Sequence, residues 1–217
     1  MTPLYRALLA LLILSCGFVV YSQVVALGEF RTLDEVVLRA FQRVWTPYLL
    51  PLSQAIAVLG GIEVTTALAA GLAVFLWRSG FRNEALALLA FPLVLVVEIA
   101  YRRLVSHPGP PFAHADGPSL TQLVGRVAVN SYPSGHVLRA VVVYGLIAFV
   151  AHRLSPPGRL RRLAIPAAAV MIAAMAFNRL YLGVHWESDV VGGLLLGGLA
   201  LAAAIVWLDR PRVPDDR

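Results

Sequence analysis

Ser134-Gly135-His136 stands behind a proline at the head of a long apolar run, and Arg179, His185 and Asp189 follow at spacings of six and four. A hydroxyl and a glycine backbone at a helix start form a ready anion site, because the first helical N–H groups lack intrahelical partners and glycine permits close approach. His136, one residue on, is placed to protonate a departing alkoxide. His185 and Asp189 sit one helical turn apart, so a carboxylate on Nδ1 would fix the imidazole tautomer and leave Nε2 as a lone-pair nucleophile. Arg179 lies across a turn containing Gly183 and offers a two-pronged fork to a phosphate-like oxyanion. A nucleophile with its orienter, a general acid and an anion cradle are the parts for phosphoryl transfer through a phosphohistidine, with no metal or other cofactor required.

These groups need a scaffold that brings three distant stretches together, and the composition says which. The 217 residues are 59% hydrophobic and 14% charged, against about 45–50% and about 25% for soluble domains. The expected fold is therefore all-α, a polytopic bundle of about six transmembrane helices formed by residues 1–217 as a single domain. Spans are expected at about 4–25, 62–77, 85–104, 137–152, 164–181 and 190–208, with the motif-bearing core over about 85–207. After the first span, apolar residues at 37, 38, 41, 44 and 45 follow helical spacing among Arg31, Asp34, Glu35, Arg39 and Arg43, which predicts an amphipathic helix at the interface. The lone Cys16 excludes an intramolecular disulfide and reads as buried packing.

All 18 basic residues are arginine, and most lie between apolar runs, so the net charge of +6 reflects membrane orientation and not nucleic-acid binding. Ten arginines, Arg212 and Arg217 of the tail among them, fall on the side of the basic turns at 78–82 and 153–162. That bias puts both termini in the cytoplasm and the 105–132 and 182–188 loops together on the outer face of the cytoplasmic membrane. Arg102-Arg103, closing the third span, then joins the other two clusters on one face. Arg102 also fits an i,i+4 ion pair with Glu98, and the two roles are compatible. A metal site from His107, His114, His136 and His185 with Asp116 and Asp189 is the competing chemistry; no pair has a dedicated ligand spacing, and the arginines would repel a cation.

Pro133-Ser134-Gly135-His136, followed by Arg179-x5-His185-x3-Asp189 within "NRLYLGVHWESD", resembles the second and third signatures of the type-2 phosphatidic acid phosphatase superfamily, and span order and loop placement match it over roughly 33–207. The resemblance implies a membrane lipid phosphatase, with a lipid phosphate or diphosphate as partner in the bilayer. It implies His185 as nucleophile, Asp189 as its partner, His136 as acid, and Ser134, Gly135 and Arg179 as phosphate ligands. The family's first signature, lysine-x6-arginine-proline, puts Arg102 in the lysine slot and Gly109 in the arginine slot. One anion fork is thereby lost, and His107, Arg103, Arg126 and Arg139 are the candidates to compensate, Arg139 lying one helical turn past Ser134-Gly135. Asn178 replaces the serine usual before Arg179. The alternative expectation is a weakened or inactive member that binds or moves phospholipids.

Overall fold

The computed structural model describes residues 3–111, 113–114 and 130–210. Arg126 and Asp116, and the tail residues Arg212 and Arg217, lie outside them. The described helices are α1 (Pro3–Ala26), α2 (Arg31–Val44), α3 (Leu50–Gly60), α4 (Ile62–Arg78), α5 (Arg82–Ala87), α6 (Ala90–Leu104), α7 (Gly135–Leu154), α8 (Arg159–Tyr181) and α9 (Glu187–Asp209). No strand occurs among the described residues.

Five stretches are long and apolar enough to span a bilayer: Leu4–Ala26, Arg82–Leu104, Gly135–Leu154, Arg159–Tyr181 and Glu187–Asp209. Pro47–Gly60 and Ile62–Arg78 meet the same criterion taken together, as a pair bent by 44° at Gly61, which gives up to six. The chain is a multi-pass membrane protein. The apolar stretch before Gly60-Gly61, read from sequence as separate from the second span, forms α3, and the expected span at 62–77 forms α4. The break between α5 and α6 also has a local cause: Pro92 supplies no N–H to the carbonyl of Leu88 and crowds it.

α7 is the central helix, with residues 135–143 buried without interruption against α8 and α9. The contact with α9 is close because of glycine. A methyl group on Gly193 would fall 2.7 Å from the Ser134 carbonyl oxygen, and one on Gly197 would fall 2.8 Å from Val141 Cβ. Without a hydrophobic drive between helices in lipid, such small-residue faces let the backbones meet and gain dispersion contact.

α1 buries only a stripe, Phe18, Ser22 and Val25, and leaves Leu12, Ile13, Leu14 and Val20 exposed, as a lipid-facing helix does. Cys16 lies on that exposed side, contrary to the buried position expected, because a peripheral span turns most of its circumference outward. α2 is amphipathic as expected and buries Asp34 and Leu38.

Substituting valine at Gly193 forces side-chain atoms into backbone, so the melting temperature of detergent-solubilised protein should fall by an amount matching about 1–3 kcal/mol of overpacking or more. Valine at Gly198, which has nothing within 4 Å, should leave it nearly unchanged.

Candidate active site

Each signature residue is fixed by the way its helix begins or ends. α8 ends in a Schellman turn: Gly183, at φ +64°, donates from its N–H to the Leu180 carbonyl, and Val184 donates to the Arg179 carbonyl. This left-handed residue reverses the chain so that His185 returns beside Arg179, which is fully buried. α9 then begins with Asp189 at its third position, accepting the Trp186 N–H at 3.0 Å as a cap. The same carboxylate oxygen, Oδ2, lies 3.2 Å from His185 Nδ1. A carboxylate accepts only, so Nδ1 carries the hydrogen and Nε2 keeps its lone pair.

α7 begins beside α9. The Ser134 N–H donates to the Asp189 carbonyl at 3.0 Å, a direct backbone link between the two signatures. Tyr132, wholly buried, anchors the approach: its hydroxyl pairs with Ser22 Oγ at 2.8 Å and its ring lies over Gly192. Ser134 Oγ is buried and has no hydrogen-bond partner among the described residues. His136 is buried within electrostatic reach of Arg179, Arg139, His185 and Arg102. Arg139 Nη2 approaches His136 Nδ1 at 3.4 Å, too long to fix a tautomer.

The end of α6 is strapped to the same place. Asn130 Nδ2 donates to the Arg102 carbonyl at 2.9 Å, Arg102 Nη1 donates to the Asn130 carbonyl at 3.3 Å, and the His107 N–H donates to Asn130 Oδ1 at 3.0 Å. The expected Arg102–Glu98 pair is present at 3.2 Å. Glu98 also receives Arg139 Nη1 at 3.0 Å, and Arg139 Nε donates to the Gly60 carbonyl at 3.2 Å. Arg103 is exposed.

His107 sits behind the carboxylate of Asp189. Its Nε2 is 3.6 Å from Asp189 Oδ1, 3.2 Å from Ser188 Oγ and 3.8 Å from Asp34 Oδ2. Asp34 in turn accepts from the Ser188 N–H at 2.8 Å and from Ser188 Oγ at 2.7 Å, which pins α2 to the first turn of α9. Burial pushes the Asp34 carboxyl up and the Ser188 bonds oppose that. Asp34, Ser188, Asn130 and Tyr132 were not singled out from the sequence. For Asp34 a signal existed: it lies one turn before Leu38, on the apolar side of the amphipathic helix.

Gly109 lines a cavity of about 710 Å³ between the end of α1, α2 and the loop after α6, together with Asp34, Gln42, His107 and Trp186. Nothing but Ser131 Cβ, at 3.6 Å, meets a methyl group placed there. Asn178, in the serine slot, ties α8 to α3 by donating to the Ser53 carbonyl at 3.1 Å. His114 stacks on Trp45 and donates to Gln42 Oε1 at 2.8 Å. Among the described residues no three His, Cys, Asp or Glu side chains converge as metal ligands would.

An intramembrane helix bundle with paired histidines, a carboxylate and buried arginines at one end defines a class, and sequence comparison agrees. The chain belongs to the PAP2 superfamily, whose sequence profile matches residues 104–212. It is 32% identical over 141 residues to the putative undecaprenyl-diphosphatase YbjG of Escherichia coli K12, an alignment covering 63% of this chain and 65% of that protein. It is 26% identical to phosphatidylglycerophosphatase B of Bacillus subtilis over 183 residues, 83% of this chain and 85% of that one. A lipid A 1-phosphatase of Rhizobium etli is 31% identical over 49% of this chain and 42% of its own length. The fold matches the crystal structure of a transmembrane PAP2-type phosphatidylglycerolphosphate phosphatase from Bacillus subtilis, with TM-score 0.73 and 22% identity over 90% of this chain and 94% of that one.

Burial, with the charges of Arg102 and Arg179, holds the His185 imidazole below its ordinary value of 6.5, against the opposing charge of Asp189 and the hydrogen bond His185 donates to it. The depressed value means that the neutral, nucleophilic form dominates at pH 6.5 and above, and protonation comes only as pH falls below it. In a ¹⁵N-histidine NMR titration the His185 midpoint should lie under 6.5 and move lower still in Asp189→Asn; a midpoint above 6.5 contradicts this electrostatic picture.

Proposed function

We propose that the chain, working as one unit, is a lipid phosphatase that hydrolyses a membrane lipid phosphate or diphosphate. The observation that carries this reading is the backbone bond from Ser134 to the Asp189 carbonyl, because it sets the anion-binding start of α7 against the helix start that orients His185. Family membership and the names of the relatives support the same chemistry.

In this reading Arg179, Arg102, Ser134 and Gly135 hold the non-bridging phosphate oxygens. His185 attacks phosphorus from Nε2, the bond to the lipid or β-phosphate oxygen breaks, and His136, as imidazolium favoured by the bound oxyanion, gives that oxygen a proton. Water, deprotonated by the now neutral His136, then attacks the phosphohistidine, releasing inorganic phosphate and restoring both imidazoles. Guanidinium groups supply the positive charge the transition state needs, so the step is written without a metal. Arg139 stands where it can compensate for Gly109 through His136, which it approaches at 3.4 Å. His107 compensates differently, by bracing Asp189 from behind.

The bundle end that carries the site is assigned to the outer face of the cytoplasmic membrane, with both termini cytoplasmic, from the arginine distribution. The phosphate headgroup reaches the site from the outer leaflet while its chains remain in lipid.

Purified protein in mixed micelles should release inorganic phosphate from phosphatidate, phosphatidylglycerol phosphate or an isoprenyl diphosphate. His185→Ala should lower kcat at least about 10³-fold, as loss of a covalent nucleophile does. Equal release by wild type and His185→Ala overturns the mechanism.

A further inference from the structure

One buried carboxylate in this region has no part in the mechanism. Glu98 lies on α6, 4% exposed, and its pairing with Arg102 is the expected i,i+4 contact. Its position is less expected. A methyl group on Gly135 would fall 2.0 Å from Glu98 Oε1 and 2.7 Å from Arg139 Nη1. The carboxylate therefore lies against Gly135 on the side where a side chain would project, beside the first residue of α7. The neighbouring Ser134 Oγ is fully buried and has no hydrogen-bond partner among the described residues.

Two arginines converge on this one carboxylate. Arg102 reaches it at 3.2 Å from one turn along α6, and Arg139 at 3.0 and 3.2 Å from one turn along α7. Arg139 is itself 3% exposed. Charge neutralisation at membrane depth accounts for one carboxylate near these guanidinium groups. It does not account for placing that carboxylate against Gly135, where only a residue without a side chain leaves room.

We propose that Glu98 is an internal competitor at the phosphate cradle, a carboxylate that holds Arg102 and Arg139 beside Gly135 in the free protein and competes with a phosphoryl group for them. This rests on the reading that Ser134-Gly135 binds phosphate. Its consequence is an affinity-setting residue outside the three signatures. With Glu98 seated, the arginines are kept ordered and neutralised in the empty site. When a phosphoryl group arrives, the carboxylate must yield them, which weakens binding of substrate and of the inorganic phosphate product alike. Like charges side by side in a buried site oppose each other strongly, so the effect should be large enough to measure by titration.

The test is binding of inorganic phosphate and of orthovanadate to detergent-solubilised full-length protein, followed by isothermal titration at fixed pH. Wild type, Glu98→Gln and Glu98→Asp are compared, each with its melting temperature. Glu98→Gln should bind both anions about tenfold tighter. Glu98→Asp keeps the charge but retracts it by one methylene, and should bind them more tightly by a smaller factor. If loss of the buried charge keeps the glutamine variant from folding, the aspartate variant decides alone. Affinity that is unchanged or weaker in the folded variants overturns the proposal, including where only the melting temperature falls, since that is what a purely structural carboxylate would give. Binding of neither anion to any of the three proteins instead overturns the phosphate-cradle reading on which the proposal stands.

Discussion

The site depends on a single juxtaposition, the starts of α7 and α9 side by side at one end of the bundle. The 3.0 Å bond from the Ser134 N–H to the Asp189 carbonyl is its most direct expression. It forms because Gly193 and Gly197 let the α9 backbone approach to distances that any side chain would forbid. A shift of one helix past the other by a fraction of a turn would separate the two histidines and dissolve the anion cradle at once. Under the proposed function the glycine face serves catalysis as well as packing, linking helix–helix contact in lipid to the geometry of the site.

Electrostatics sets the second constraint. Charged side chains at bilayer depth cost about 2.5–3.5 kcal/mol each on insertion scales, so the burial of Arg139, Arg179, Glu98 and Asp189 in one region, with Arg102 mostly covered beside them, needs mutual compensation. Two linked networks provide it. Glu98 gathers Arg102 and Arg139 on the α6–α7 side, while Asp189, His107, Asp34 and Ser188 form the second between α2, the loop after α6 and α9. Arg179 stands where an added dianion would meet positive charge from both α7 and α8.

Much of this was legible in the sequence because the chemistry is written in contiguous text. Ser134-Gly135-His136 and Arg179 to Asp189 each occupy a helix end, where local rules of capping and turn formation fix the geometry. Spans were legible from hydropathy, and the Glu98–Arg102 pair from i,i+4 spacing. What the sequence did not disclose is contact between distant segments. Nothing local marks Arg139 as the partner of Glu98, 41 residues earlier, or Asp34 as the cap of a helix that begins 153 residues later. The break at Gly60-Gly61 was legible, but not the 44° bend between α3 and α4 that it produces. Cys16 was misplaced because hydrophobicity in a membrane helix does not tell core from lipid. Gly109 remains a true departure from the first signature, and the cavity it lines is shared with Arg31 and Arg39.

The most direct measurement is a structure of the protein determined with orthovanadate, which adopts the five-coordinate geometry of phosphoryl transfer. The account predicts vanadium bonded to His185 Nε2, with its oxygens on Arg179 and the Ser134–Gly135 backbone and His136 on the opposite, apical side. Vanadate held elsewhere, or at the site with His185 turned away from it, would contradict the account.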